Sequence, residues 1–360
     1  MSLIYILLTL LIFSVLVLVH EAGHFAVAKF NGIMVEEFAI GMGPVVFSKQ
    51  VGETLYSFRA LPIGGFCRML GEDEDESDSR AFNNKGVLAR IAVVATGPIM
   101  NFVFGFIAVF IVMSTSAAVI EPVVGSILEN SNAINQGLME GDRIKKINNQ
   151  SVHTYQDLSL TMAGEDGSDI NVVVERNGNE QSLTITPIPN DSGTGFIIGF
   201  SPVIKTGLLA EEVEGYNQST LSETVYNSFY TLVYYVKSVV IGFVRLFTLN
   251  ISPAEIAGPI GIVQVVGDTV EVGITYSIWS VVRSLLTLSA LLSVNLGVIN
   301  LFPIPAMDGG RLVFLIIEGL RGKPMDRNRE GFIHFLGFVL LMMFMFVVAS
   351  NDIFRIISGR

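Results

Sequence analysis

In 360 residues the chain has one cysteine, one tryptophan and four histidines, and only 15% of its residues carry charge. With Cys67 alone no intramolecular disulfide can form, so packing, metal or lipid must hold the fold. Positive charge is also scarce: 22 Lys and Arg stand against 33 Asp and Glu, a formal net charge of -11 that excludes nucleic-acid binding through a basic surface. Part of the acidic excess is the run EDEDESD at 72–78, which reads as a solvated loop. No Lys or Arg precedes Lys29. The opening stretch therefore lacks the positive start of a secretory signal, although AVA at 26–28 has the form of a cleavage site, and its apolar run is too long for one.

What stands in place of charge is apolar length. Hydrophobic residues make up 51% of the chain and the mean hydropathy is +0.58, a balance that belongs in a bilayer. A hydrocarbon core of about 30 Å takes roughly 20 helical residues. The stretch opening at Leu3, residues 91–113 and residues 332–349 meet that length, and 281–302 supplies a fourth span. The predicted fold is a multi-pass α-helical membrane protein with four transmembrane helices. Residues 222–247 are apolar but carry Lys237 and Arg245, the mixture shown by an interfacial amphipathic helix. Because Lys29 follows the first helix, the positive-inside rule places the N-terminus outside and Lys29 in the cytoplasm.

Between 121 and 202 the composition becomes that of a soluble α+β domain. A short apolar strand is followed by Gly141-Asp142 opening a second strand, a short helix in TYQDLSLTMAG, and two strands around an Asn177-Gly178 hairpin. The GL..GD.I..IN pattern, carried by Gly137, Leu138, Gly141, Asp142, Ile144, Ile147 and Asn148, closely resembles that of a PDZ domain.

Near the end of the first apolar run stands His20-Glu21-Ala22-Gly23-His24. At i and i+4 of a helix both imidazoles project from one face and can share a metal ion, with Glu21 beside them as base for a metal-bound water. Ionisable groups inside an apolar span are costly and point to function. Catalytic zinc takes a third protein ligand. Asp308, in NLFPIPAMDGG, is the best placed: Pro303 and Pro305 break the helix before it, and Gly309 and Gly310 allow close approach. Glu318 and His334 are weaker candidates, and His153 falls in the soluble domain.

HExxH in the first span, the PDZ-like insert and NLFPIPAMDGG together resemble the site-2 protease family of intramembrane zinc metalloproteases, in particular its bacterial branch that includes the regulator of sigma-E protease. The family motif NxxPxPxLDG is matched by Asn300, Pro303, Pro305, Asp308 and Gly309, with Met307 in place of leucine. The likeness extends through ALPIGGFCRMLGE and FNNKGVLARIAVVATGPIMNF. It implies Zn²⁺ held by His20, His24 and Asp308, Glu21 as catalytic base, and Asn300, Pro303 and Pro305 binding substrate. Asn295 either assists or makes a helix-to-helix hydrogen bond.

Topology agrees. His20 and His24 lie toward the cytoplasmic end of the first helix, so a helix over 281–299 must run inward to deliver Asp308, and 222–247 is then interfacial or re-entrant rather than a full span. Arg311, Arg321, Lys323, Arg327 and Arg329 favour a cytoplasmic loop after Asp308. Short strands within 45–70, bent at Gly64-Gly65, form a membrane-associated β-hairpin region whose edge is suited to holding an unwound substrate. The expected organisation is a protease core over 1–113 and 281–350, a PDZ domain over 121–202 and a linker over 203–280. The expected activity is cleavage of single-pass membrane proteins, resembling anti-sigma factors or remnant signal peptides, with membrane lipid and no nucleic acid as partner. A non-enzymatic PDZ-bearing scaffold with a structural metal site is the alternative, though such a site would ordinarily be closed by four ligands.

Overall fold

The structure, a computed structural model, describes every residue except 1, 73, 75, 191, 194, 249–256 and 359–360. The chain divides into two compact units, 1–108 with 236–360, and 109–235.

The first unit begins with α1 (Leu3–Phe30), whose 28 residues hold no proline and no glycine before Gly23. At 1.5 Å per residue the helix is about 42 Å long, enough to cross a bilayer. It ends where Asn31 caps it and Gly32 takes a positive φ of 65°. Next come β1 (Val35–Val51) and β2 (Thr54–Met69), an antiparallel pair. Strand structure thus starts at Val35, not at 45, and forms two long strands in place of short ones. The extra length is hidden in the sequence because its inward set, Val35, Glu37 and Ala39, includes a carboxylate. Glu37 is 2% exposed and accepts hydrogen bonds from Ser57 Oγ, Arg59 and Arg68 at 2.6, 2.6 and 2.7 Å, which neutralise it. The ladder folds over itself, so that Ile40 faces both Gly65 and Phe58. Ser14 on α1 donates to the Pro62 carbonyl at 2.7 Å, tying the β2 bend to the helix. Val45, Val46, Phe47 and Leu61 are exposed.

Helix α2 (Val87–Thr115) runs back along α1 and tolerates Pro98 in its interior. The remaining strands, β3 (Val119–Ile127), β4 (Arg143–Ile147), β5 (Gln150–Ser151), β6 (Ile170–Arg176), β7 (Asn179–Ile185), β8 (Ile188–Pro189), β9 (Phe196–Ile197), β10 (Phe200–Thr206) and β11 (Asn217–Gln218), with α3 (Tyr155–Met162), belong to the second unit. Its main sheet has the order β11-β10-β3-β4-β6-β7, with β5 on β4, while β8 and β9 pair separately. The core is Leu138, Ile144, Ile147, Ile170, Val172, Val174, Ile185 and their neighbours, all nearly inaccessible. Asn177 and Gly178 both take positive φ, 52° and 79°, as a tight hairpin of this kind requires. Helix α3 opens with a reciprocal cap between Thr154 and Asp157. The sheet runs past residue 202 through β10 and β11, because β10 pairs with β3.

Helix α4 (Leu221–Phe247) is one continuous helix of 27 residues, and α5 (Pro259–Ile274), α6 (Ile278–Leu301), α7 (Asp308–Arg321) and α8 (Arg327–Ser358) complete the chain. The 203–280 stretch is thus largely structured. Five described helices, α1, α2, α4, α6 and α8, are long and apolar enough to cross a membrane, one more than the four expected, because Lys237 and Arg245 leave α4 an apolar window.

Contacts within the first unit fix helix directions. An added Cβ on Gly267 of α5 would meet the Tyr5 ring, and one on Gly273 would meet Val281 at the start of α6. Asp352, near the end of α8, accepts the backbone N–H groups of Gly258 and Gly261 at 3.2 and 2.9 Å. Helix α5 therefore touches the beginnings of α1 and α6 and the end of α8. At the opposite ends, His20 and His24 of α1 meet Asp308, which follows α6. Helices α1 and α6 accordingly run in the same direction.

Candidate metal centre

Three side chains from two ends of the sequence converge between α1, α2 and α7. His20 Nε2 and His24 Nε2 are 3.1 Å apart, and Asp308 Oδ2 lies 3.0 Å from the first and 3.5 Å from the second. Both histidines are buried. Among the described residues these three are the only group of His, Cys, Asp or Glu with the geometry to hold a metal ion.

The neighbours bear on the tautomers. His24 Nδ1 faces the Val93 carbonyl at 2.8 Å, so it carries the proton and donates, leaving a lone pair on Nε2. His20 Nδ1 lies 3.1 Å from Asn101 Nδ2, while Asn101 Oδ1 is buried without a donor; turning the amide end for end lets Oδ1 accept the Nδ1–H, which satisfies both groups and leaves His20 Nε2 free. With that amide orientation two imidazole lone pairs and a carboxylate oxygen point at one another. Asp308 Oδ2 is buried and has no hydrogen-bond donor. Such convergence is repulsive unless a cation occupies the centre, so the donor set fits zinc: two nitrogens, one oxygen and an open position.

Local sequence explains the approach. Gly97 of α2 packs against His20 and His24, where an added Cβ would collide with both imidazoles, and Gly23 packs on the Thr96 carbonyl, where one would lie 2.6 Å away. Gly309 and Gly310 do the same for α7, whose first turn sits on the carbonyls of Leu301, Phe302 and Ile304. Asn101 is fully buried, and its backbone oxygen accepts from Ser293 Oγ of α6 at 2.9 Å, so one residue joins α1, α2 and α6. Asn101 was not singled out from the sequence; its signal is a lone amide inside the apolar span 91–113.

The other sequence candidates separate by position. Glu21 follows His20 on α1, and its carboxylate lies near the Cys67 backbone of β2. Asn300 is buried at the end of α6, and the Asn295 side-chain oxygen is buried without a hydrogen-bond donor. Pro303 and Pro305 lie in the strap between α6 and α7. Gly64 has a φ of 75°, and Gly65 pairs with Ile40, so its ladder groups on that side are taken. Glu318 is not at the centre: Arg90 holds it through both guanidinium nitrogens, one of them at 3.1 Å. His334 accepts the backbone N–H of Ala306 at 2.8 Å. His153 is engaged within the second unit, stacked 3.7 Å from the Tyr230 ring and bonded to Tyr226 Oη at 2.9 Å.

Beside the three ligand candidates, a cavity of about 380 Å³ is lined by Ala306, Met307, Asp308, Arg311, His334, Phe335 and Phe338. A larger one, about 880 Å³, shares Arg311 and His334 with it and adds Glu72, Arg90, Glu318 and Asp326 among its walls.

Known proteins share this arrangement of sequence. Residues 8–344 match the description of peptidase family M50. A Clostridium acetobutylicum protein described as a zinc metalloprotease is 39% identical over 355 residues, covering 98% of each chain. The zinc metalloprotease RasP of Bacillus licheniformis is 32% identical, covering 96% of this chain and 98% of its own. The regulator of sigma-W protease RasP of Bacillus subtilis is 30% identical, with 96% and 97% covered.

Proposed function

We propose, from the premise that this chain belongs to peptidase family M50, the site-2 protease family, and is a multi-pass membrane zinc metalloprotease, that it cuts single-pass membrane proteins at the centre formed by His20, His24 and Asp308. The observation that carries the reading is the convergence of three lone-pair donors on one point, 3.0 to 3.5 Å apart, beside a glutamate. His20 Nε2, His24 Nε2 and Asp308 Oδ2 hold the ion. Zinc bound there supplies a Lewis acid and a water whose pKa is lowered to about 7. Glu21 would act as general base and then general acid, taking a proton from the attacking water and returning it to the departing amide nitrogen, so that water adds across one C–N bond.

The substrate reaches this centre as an unwound segment. Asn300, Pro303 and Pro305 line the strap beside Asp308, and among the described residues the outer side of β2 at 65–69, next to Gly64 and Gly65, has no strand partner and can accept an added one. The cavities meeting at Arg311 and His334 are a route for water and product.

The proposed topology has four full spans, α1, α2, α6 and α8, with the N-terminus and the 121–202 domain outside and Lys29 and the basic loop after Asp308 inside. Helix α4 is read as re-entrant. Its Phe243 ring meets Phe302, next to the strap, at a centroid distance of 4.7 Å, whereas α5 lies at the opposite ends of α1 and α6. A chain that descends to the strap and returns keeps α1 and α6 parallel. Reporters fused after Thr275 and near Lys323 are expected outside and inside respectively; the reverse order would break this topology. The 121–202 domain is read as a PDZ domain that excludes bulky substrate ectodomains. Its deletion should admit untrimmed substrates while trimmed ones are still cut, and loss of trimmed-substrate cleavage alone would make it a recruiter.

The decisive test is zinc content and cleavage of a transmembrane model peptide by the purified protein. One zinc per chain with cleavage is expected, and Asp308→Ala should lose the metal. Zinc loading of the wild type without cleavage would favour the scaffold with a structural metal.

A further inference from the structure

Asp308 is delivered by a turn that its own sequence does not favour. The Met307 N–H donates to the Ile304 carbonyl at 3.2 Å, closing a four-residue turn with Pro305 second and Ala306 third. Ala306 has a φ of 75°. Proline at the second position and a positive φ at the third are the marks of a type II turn, in which the third residue is ordinarily glycine because a Cβ is strained there. Asn148 and Asn177 are the other described non-glycine residues with positive φ, and asparagine tolerates that region where alanine does not. Something outside the turn must hold Ala306.

Helix α8 provides it at two points one turn apart. His334 Nδ1 accepts the Ala306 N–H at 2.8 Å, and Gly337 leaves the notch in which Pro305 sits, since an added Cβ there would lie 2.6 Å from the Pro305 oxygen. The edge of the Phe314 ring, on α7, packs against the imidazole at 5.5 Å between centroids, fixing its plane. His334 thus faces the backbone two residues before Asp308 while standing outside the three-ligand cluster.

We infer that His334 is a positioning residue: by accepting the Ala306 N–H it holds the strained 304–307 turn that brings Asp308 Oδ2 to His20 and His24. The inference rests on Asp308 being a metal ligand. Two consequences separate it from general packing. Asparagine places an acceptor oxygen where His334 Nδ1 stands, so His334→Asn should retain the function while His334→Ala loses it. Ala306→Gly removes the strain at the third turn position, so it should make the histidine dispensable.

The test measures zinc affinity by chelator competition, together with kcat and KM on a transmembrane model peptide, for full-length wild type, H334A, H334N, A306G and A306G/H334A. H334A is expected to bind zinc roughly 10 to 100-fold more weakly, the range typical of partners that orient metal ligands. H334N should stay within about threefold of wild type, A306G should match wild type, and A306G/H334A should regain most of what H334A loses, on the same scale. Equal losses from the histidine change in the alanine and glycine backgrounds, or H334N as weak as H334A, would overturn the inference. Should H334A not fold, H334N and A306G/H334A decide it by the same criteria. Unchanged zinc affinity in Asp308→Ala would instead overturn the ligand assignment beneath it.

Discussion

The described buried carboxylates of the second unit are all paired, whereas the first unit, which satisfies Glu37 and Asp352 in the same way, leaves one facing lone pairs. In the second unit Asp142 is fully buried, yet Arg176 reaches both its oxygens at 2.7 Å and the Met139 N–H adds a third bond at 2.9 Å. Glu121 there is held by Arg143 at 2.6 Å, and Asp157 caps α3. In the first unit Asp308 faces two imidazole nitrogens and no donor. A satisfied buried charge belongs to the scaffold, whereas charge left facing lone pairs marks a place prepared for something else. The apolar surfaces diverge as well. The second unit hides Ile144, Ile147 and Val172 completely, while Leu3, Leu7 and Leu11 of α1 are exposed by more than half, a stripe that only lipid can cover.

The comparison breaks first at the base. Glu21→Gln keeps size and loses proton acceptance, so cleavage should fall about 10³-fold or more with zinc content unchanged; retained turnover in a peptide assay would remove Glu21 from the reaction. Next comes the scaffold: Arg176→Met strands Asp142 in the core and should destabilise the second unit by about 3 kcal/mol, seen as protease sensitivity confined to 109–235. Burial alone would raise the Asp142 carboxyl, but the Arg176 and Met139 hydrogen bonds outweigh it and hold it below its ordinary value of 3.8. The stabilisation is therefore present above about pH 4 and lost as pH falls below it, so acid should narrow the gap between wild type and variant. A gap independent of pH would contradict the pairing.

A smaller effect is expected at the outer support of the centre. Asn101→Ala should weaken zinc binding by about 10 to 100-fold, read by chelator competition. The smallest is a paired change: replacing Arg90 and Glu318 together by Met and Leu should leave zinc and stability within about 1 kcal/mol of wild type, whereas either change alone leaves a buried charge uncompensated. Zinc loss in the double variant beyond that in the singles would return Glu318 to the ligand set.

The centre was legible because its chemistry is local. HExxH occupies one helical turn, and Pro303, Pro305, Gly309 and Gly310 announce a break that only a buried cavity accommodates. What escaped the sequence depends on distant partners. Strand β1 is longer than expected because Glu37 counts as polar until Arg59 and Arg68 are placed beside it. Helix α5 was absorbed into a linker because its 16 residues are too short to span and its N-terminus is secured by Asp352, 94 residues away from Gly258 in sequence. His334 read as a spare ligand; its actual partner is a backbone amide, and no side-chain pattern signals that.

The shared direction of α1 and α6 has a consequence for how such chains diversify. In the topology proposed above, whatever joins the end of α2 to the start of α6 leaves and returns on one face of the membrane. On that topology a change of length in the middle of the chain leaves the few turns of helix around His20, Asn101 and Asp308 where they are.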